Sequence, residues 1–335
     1  MLHTGLSQLL NHIRGSYAVR WRPKRVSGTP RFLQVEVSSR CNLECSHCLR
    51  PRLRSPRRSG EMAMDTFERV CEEFPRLDVL TLHGLGEPLL NSDLPEMVRS
   101  YRATNPFTRI GMSTNGLLLE GELLREVVSC GFYEIGISLD AATAQTYESV
   151  RGSREFEHVV SNIGELVAAR AGRLPRVALA FVVLPANWAE MTRAVELGMR
   201  LGVDQVSICD LNLTWAPESK WEPARAEQVR EEWESARRTA GSRGIELTYA
   251  KFDKTLWGAQ MRCRPCFYLW DMPYITWEGY VTPCCALPDP DLVRFGNLRE
   301  TTFRSIWNSA EYRDYRAAVT SEEPPEPCTG CHHLC

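Results

Sequence analysis

The chain has 335 residues, 43% of them hydrophobic and 24% charged, with a formal net charge of −2. That length suits one large domain plus a smaller one, and the near-neutral balance gives no bulk attraction for nucleic acid or a membrane surface. No window approaches the ~20 apolar residues of a membrane helix, and the thirteen cysteines cluster at metal-ligand spacings without a signal-peptide pattern, so a reducing cytoplasm is expected rather than a disulfide-rich secreted protein.

Residues 1–30 read as a peripheral segment. Leu6, Leu9, Leu10 and Ile13 have helical spacing and predict a short amphipathic helix; the basic stretch from Arg20 to Arg25, around Pro23, predicts a surface linker. Residues 31–249 alternate between two periods. Strands are expected at 32–38, 79–83, 109–113, 133–138, 177–184 and 205–209. Helices fall between them at 64–74, 97–103, 123–130, 159–169 and 191–201, the third stopped by Gly131. After an irregular connection at 210–223, a helix at 224–240 and a strand at 245–249 close this large domain. Such alternation implies an α/β fold with a parallel sheet and right-handed crossovers. Periodicity alone does not separate a partial barrel from a doubly wound sheet.

The first strand runs into Cys41-Asn-Leu-Glu-Cys45-Ser-His-Cys48, three thiols within eight residues. Thiolates are soft ligands, suited to iron–sulfur or zinc. A structural zinc site wants four ligands in Cys-x2-Cys pairs, whereas three cysteines hold three irons of a [4Fe–4S] cubane and leave the fourth open for chemistry. Arg50, Arg52, Arg54, Arg57 and Arg58 follow, either as a solvated loop or as contacts for an anionic substrate group or an electron donor. The second strand ends in Gly84-Leu-Gly86-Glu87-Pro88, where closely spaced glycines let backbone approach a ligand. The fourth ends in Ser138-Leu-Asp140, with Arg151-Gly152 downstream. These turns all lie at the C-terminal ends of strands, where α/β folds build sites.

Residues 250–335 hold seven of the thirteen cysteines: Cys263, Cys266, Cys284, Cys285, Cys328, Cys331 and Cys335. Cys266 and Cys284 flank an expected hairpin turning at 277–280, and Cys328-x2-Cys331 supplies two more thiols. Together these four can close a second cluster, with structural zinc as the alternative. Residues 301–319 read as mostly helical. Cys71 and Cys130 lie in helix patterns and read as core residues.

The Cys-x3-Cys-x2-Cys spacing, the Gly84–Pro88 turn and the Ser138-Leu-Asp140…Arg151-Gly152 pattern resemble the radical S-adenosylmethionine superfamily over most of the chain. The tail resembles its SPASM/Twitch extension, with a spacing closest to the shorter Twitch form. The resemblance implies a partial (β/α)6 barrel at 31–249 and a small β-hairpin plus helix iron–sulfur domain at 250–335. It implies one [4Fe–4S] cluster on Cys41, Cys45 and Cys48 whose open iron chelates S-adenosylmethionine. An auxiliary [4Fe–4S] cluster is implied on Cys266, Cys284, Cys328 and Cys331. His47 would lie against the adenine, Gly84, Gly86 and Glu87 at the methionine amino group, Ser138 on the cofactor and Arg151 near its carboxylate. An electron donor such as flavodoxin or ferredoxin is implied as a partner.

For function, the first expectation is hydrogen abstraction from a small molecule (carbohydrate, aminocyclitol or nucleoside-like), giving oxidation or epimerisation. Cys209, Cys263 and Cys285 are candidate hydrogen donors for the second outcome. The alternative is a peptide-modifying enzyme; residues 1–30 are too short for a peptide-recognition domain, which a separate protein could replace. A two-cluster electron carrier leaves the missing fourth ligand at 41–48 unexplained.

Overall fold

The computed structural model describes residues 2–53, 59–211, 221–251, 254–257, 266–329 and 331. Among the described residues there are ten strands: β1 (Phe32–Val35), β2 (Val79–Leu82), β3 (Arg109–Thr114), β4 (Glu134–Ser138), β5 (Arg176–Val183), β6 (Gln205–Asp210), β7 (Glu246–Ala250), β8 (Tyr274–Ile275), β9 (Tyr280–Thr282) and β10 (Gly296–Asn297). The helices are α1 (Leu2–Trp21), α2 (Met64–Glu73), α3 (Leu94–Thr104), α4 (Gly121–Ser129), α5 (Ala144–Arg151), α6 (Phe156–Ala169), α7 (Met191–Leu201), α8 (Pro223–Arg243), α9 (Lys254–Trp257), α10 (Tyr268–Asp271), α11 (Phe303–Trp307) and α12 (Ala310–Val319). The chain forms two compact units. One comprises Met1–Cys41, Leu53–Gly111 and Arg264–Cys335; the other comprises Asn42–Arg52 and Met112–Cys263.

In the first unit the strand order is β10-β9-β8-β1-β2-β3. β1 pairs in parallel with both β2 and β8, and β8–β9–β10 is antiparallel. The expected hairpin is therefore present, and its first strand extends the parallel sheet. The stretch expected as a surface linker does lie at the surface, but its backbone and the residues just after it are held by the far end of the chain. Val26 is buried and exchanges hydrogen bonds with Asn308 at 3.0 and 2.9 Å. Trp270 Nε1 donates to the Pro23 carbonyl and Trp307 Nε1 to the Gly28 carbonyl. Buried backbone groups must find partners, and the sequence gives no hint that these partners lie some 250–280 positions away. The helical tract at 301–319 breaks at Asn308, and Ser309 caps α12 by accepting from the Tyr312 amide.

In the second unit β4-β5-β6-β7 are all parallel. Alternation gives each strand a greasy and a small face. Ile135, Ile137, Val177, Leu179, Phe181, Val206 and Ile208 are buried on the first. α7 packs on that face through Gly198, where an added methyl would sit 2.8 Å from Val206. The opposite face carries the register row Ser138, Ala180, Ser207, Thr248 and, one step towards the C-terminal ends, Val182, Cys209, Ala250. Small side chains on that face leave room beside the strand ends for a ligand.

Candidate active site

In the first unit the glycine turn after β2 packs under the segment that leads into Cys41. A methyl at Gly86 would lie 2.4 Å from the carbonyl oxygens of both Ser38 and Arg40, and one at Gly84 would lie 2.4 Å from Tyr274 Oη. The Glu87 amide donates to the Arg40 carbonyl at 2.7 Å, and the buried Glu87 side chain accepts from the Leu89 amide. Asn91 Nδ2 donates to the carbonyls of Val37 and Met62, fixing the chain beyond β1. Glu36 is fully buried and accepts from the amides of Leu85 and Trp277. The glycines therefore serve close backbone packing beside the cysteine loop, which adds a second reason to the ligand approach that the sequence suggests. His83, beside Gly84, has its pKa lowered to about 4 by burial and stays neutral.

In the second unit the end of α5 clamps the rest of the cysteine loop. The Ser46 amide and hydroxyl both donate to the Val150 carbonyl, at 3.0 and 3.3 Å. Gly152 caps α5 in the left-handed region (φ 70°), where a methyl would meet the Glu44 carbonyl at 2.8 Å. Arg151 Nη1 donates to Asp140 Oδ2 at 2.9 Å, and His47 Nε2 lies 3.4 Å from the same oxygen. Asp140 itself sits at φ 58°, unusual for a residue with a side chain. Its Oδ1 accepts from the Val182 amide and its carbonyl from Asn187. Burial works against the Asp140 charge, but the His47 bond and the Arg151 guanidinium outweigh it and leave its pKa below the usual carboxylate range. Burial likewise opposes the Arg151 charge; Asp140 and then Cys45 outweigh it. Asn115 Nδ2 bonds to Asn42 Oδ1 at 2.7 Å, and Ser138 Oγ to Ser113 Oγ at 3.1 Å.

The resemblance implies Arg151 as a cofactor contact. It is a buried ion pair, 7% exposed, and its Nε has no partner among the described residues. His47 Nδ1 is likewise buried without a partner. Two unspent polar atoms beside a loop of soft thiols fit a ligand set that awaits a polar cofactor. Of the arginine loop, Arg50 donates to the Leu43 carbonyl, while residues 54–58 lie outside the described residues.

Of the candidate hydrogen donors, Cys209 lies on the small-residue face, and burial, then Asp140 and Asp210, push its thiol up to about 12, so it is a neutral S–H. The neighbouring Asp210 points the other way, accepting from Tyr249 Oη at 2.6 Å and Trp257 Nε1 at 2.9 Å. Cys263 and Cys335 lie outside the described residues. Cys285 belongs with the tail thiols. Burial and, after it, the charges of Cys285 and Cys266 raise Cys284; burial foremost raises Cys266 to about 11, with Cys331 and Cys328 adding to it. Burial likewise raises Cys285 and Cys328, and four thiols that resist ionising are stable together as thiolates only with positive charge among them, as iron supplies. Among the described residues no group of His, Cys, Asp or Glu closes tightly enough for a single metal ion. A cubane, being larger than one ion, holds its thiolates further apart. Tyr315 Oη lies 3.2 Å from Cys328 Sγ and Tyr268 Oη 3.7 Å from Cys285 Sγ, contacts that cysteine spacing does not reveal.

Residues 35–198 match the Radical SAM superfamily and residues 266–332 match SPASM, an iron-sulfur cluster-binding domain. AdoMet-dependent heme synthase of Methanosarcina barkeri is 28% identical over 92% of this chain and 90% of its own length. PqqA peptide cyclase of Gluconobacter oxydans is 28% identical over 90% of this chain and 82% of its own. Four further relatives of that name are 24 to 27% identical. Among solved structures, Streptococcus suis SuiB bound to precursor peptide SuiA superposes with a TM-score of 0.71 at 14% identity, covering 97% of this chain and 74% of that one. That likeness shows the fold, an α/β partial barrel followed by a hairpin-plus-helix segment. No described helix is long and apolar enough to cross a membrane. The chain is thus a radical SAM superfamily enzyme with a SPASM domain, and its cofactors are S-adenosylmethionine and [4Fe–4S] clusters.

Proposed function

We propose that this radical SAM enzyme modifies a peptide. The observation that carries the reading is the recurrence of one name: five relatives aligned over 89 to 91% of this chain are peptide cyclases. A small-molecule substrate, the first expectation from the sequence, is the second reading, supported by the heme synthase relative.

Cys41, Cys45 and Cys48 would hold the cluster that binds S-adenosylmethionine; Cys266, Cys284, Cys328 and Cys331 would hold the auxiliary one, a one-electron carrier. When bound, the first cluster and S-adenosylmethionine supply a 5′-deoxyadenosyl radical able to take hydrogen from an unactivated C–H bond. The chain's own residues do the positioning. Gly84 and Gly86 admit the close packing that sets the loop ahead of Cys41. The Asp140–Arg151 pair and Gly152 set residues 44–47. His47 Nδ1, Arg151 Nε and Ser138 are the groups offered to the cofactor, with Glu87 fixing the turn. Cys209 supplies a neutral thiol on the small-residue face, available to return hydrogen to a substrate radical.

The test is co-expression with each short reading frame flanking the gene, followed by intact-mass analysis. A peptide two hydrogens lighter, or one carrying a carbon-bound deuterium when the reaction is run in deuterium oxide, formed only with active enzyme, supports the proposal. Unchanged peptides, together with turnover of an aminocyclitol, sugar or tetrapyrrole by the same preparation, defeat it.

A further inference from the structure

One face of α12 carries three groups beside one another, one of which touches a tail thiol. Tyr312, Tyr315 and Arg316 stand at i, i+3 and i+4, which a helix places side by side. Tyr315 Oη lies 3.2 Å from Cys328 Sγ. Tyr312 is fully buried, and its hydroxyl has no partner among the described residues. Its ring is locked by Phe295, stacked at 3.9 Å, and by Trp307, edge-on at 4.9 Å, so the hydroxyl cannot swing out to water.

Arg316 is also fully buried. It donates to the carbonyls of Leu269 and Trp307, its guanidinium lies over the Trp307 and Tyr312 rings at 4.3 and 4.2 Å, and its Nη2 has no partner among the described residues. No carboxylate pairs with it among those residues. Burial lowers its pKa to about 10, so it remains a cation at neutral pH. A buried cation without a counter-charge and a buried hydroxyl without an acceptor are each costly.

We propose that Tyr315 tunes the auxiliary cluster, raising its reduction potential by a hydrogen bond to the Cys328 sulfur, with Tyr312 and Arg316 holding α12 in place for it. A hydrogen bond to a ligand sulfur stabilises the reduced form, which carries one more negative charge, more than the oxidised one. These are positioning and tuning groups, not ligands. The inference rests on Cys266, Cys284, Cys328 and Cys331 being the ligand set.

The experiment is an EPR-monitored redox titration of the full, reconstituted chain, with S-adenosylmethionine added to set the first cluster's signal apart. Tyr315→Phe should lower the auxiliary midpoint, by up to about tenfold in the reduction equilibrium, ~59 mV for a one-electron couple, while Tyr312→Phe should leave it in place. The first cluster should not move. An unmoved auxiliary midpoint in Tyr315→Phe, at full iron content, overturns the tuning role. A wild-type chain with about four irons rather than about eight overturns the ligand assignment instead. Should Tyr315→Phe lose iron, wild-type protein exchanged into deuterium oxide decides: loss of a proton coupling to the auxiliary cluster supports the hydrogen bond, and no exchangeable coupling contradicts it.

Discussion

His47 Nε2 lies 3.4 Å from Asp140 Oδ2, the carboxylate oxygen that Arg151 also holds. Through that oxygen the cysteine loop is tied to the end of β4 and the last turn of α5. Asp140→Asn removes the charge that keeps Arg151 buried. Breaking such a pair leaves an uncompensated cation, so unfolding in urea should show a loss of about 3 kcal/mol. Iron bound at residues 41–48 should fall while the auxiliary iron stays. Unchanged stability would mean that the pair is not holding the loop.

Three glycines separate packing from propensity. Gly86→Ala and Gly152→Ala drive a methyl into carbonyl oxygens at 2.4 and 2.8 Å and should lower both stability and the binding of S-adenosylmethionine. Gly241, inside α8, has nothing within 4 Å of an added methyl. Gly241→Ala should therefore stabilise the protein, by about 0.5–1 kcal/mol. Thermal midpoints of the three variants check the order.

Stability should depend on pH through His83. Its folded pKa of about 4 lies below the ordinary 6.5, so the unfolded chain binds the extra proton first. The neutral ring's contribution is complete above pH 6.5 and is lost as pH falls towards about 4, up to about 3 kcal/mol in all. His83→Gln should lose that part of the slope. An identical pH profile in the variant would place His83 in water.

Iron counting tests the two thiol sets. The reconstituted chain should hold about eight irons, and changing Cys41, Cys45 and Cys48 together to Ala should leave about four. Retention of all the iron in that variant would remove the loop from the cluster assignment.

Much of this site is legible in the sequence because thiol spacing and glycine turns are local signals. The strands at 133–138 and 205–209 are equally plain, since a helix-packed face and a small face alternate strictly there. α5 escapes the periodicity reading, being only eight residues long, although Thr143 and Gly152 cap it at both ends. Asp140 stands in a recognisable pattern, but its role depends on a left-handed backbone and on Arg151 eleven positions away. The linker at 20–25 looks solvated because its partners, Trp270 and Arg316, belong to the other end of the chain. Long-range pairing of buried polar groups leaves no periodic trace.

The central claim is that the loop at 41–48 carries the cluster that cleaves S-adenosylmethionine. Anaerobic, reduced enzyme incubated with S-adenosylmethionine and analysed by liquid chromatography tests it directly. Wild-type protein should release 5′-deoxyadenosine and methionine in equal amounts, slowly without substrate. Cys45→Ala, with its auxiliary iron intact, should release neither. Continued formation of 5′-deoxyadenosine by that variant would contradict the account.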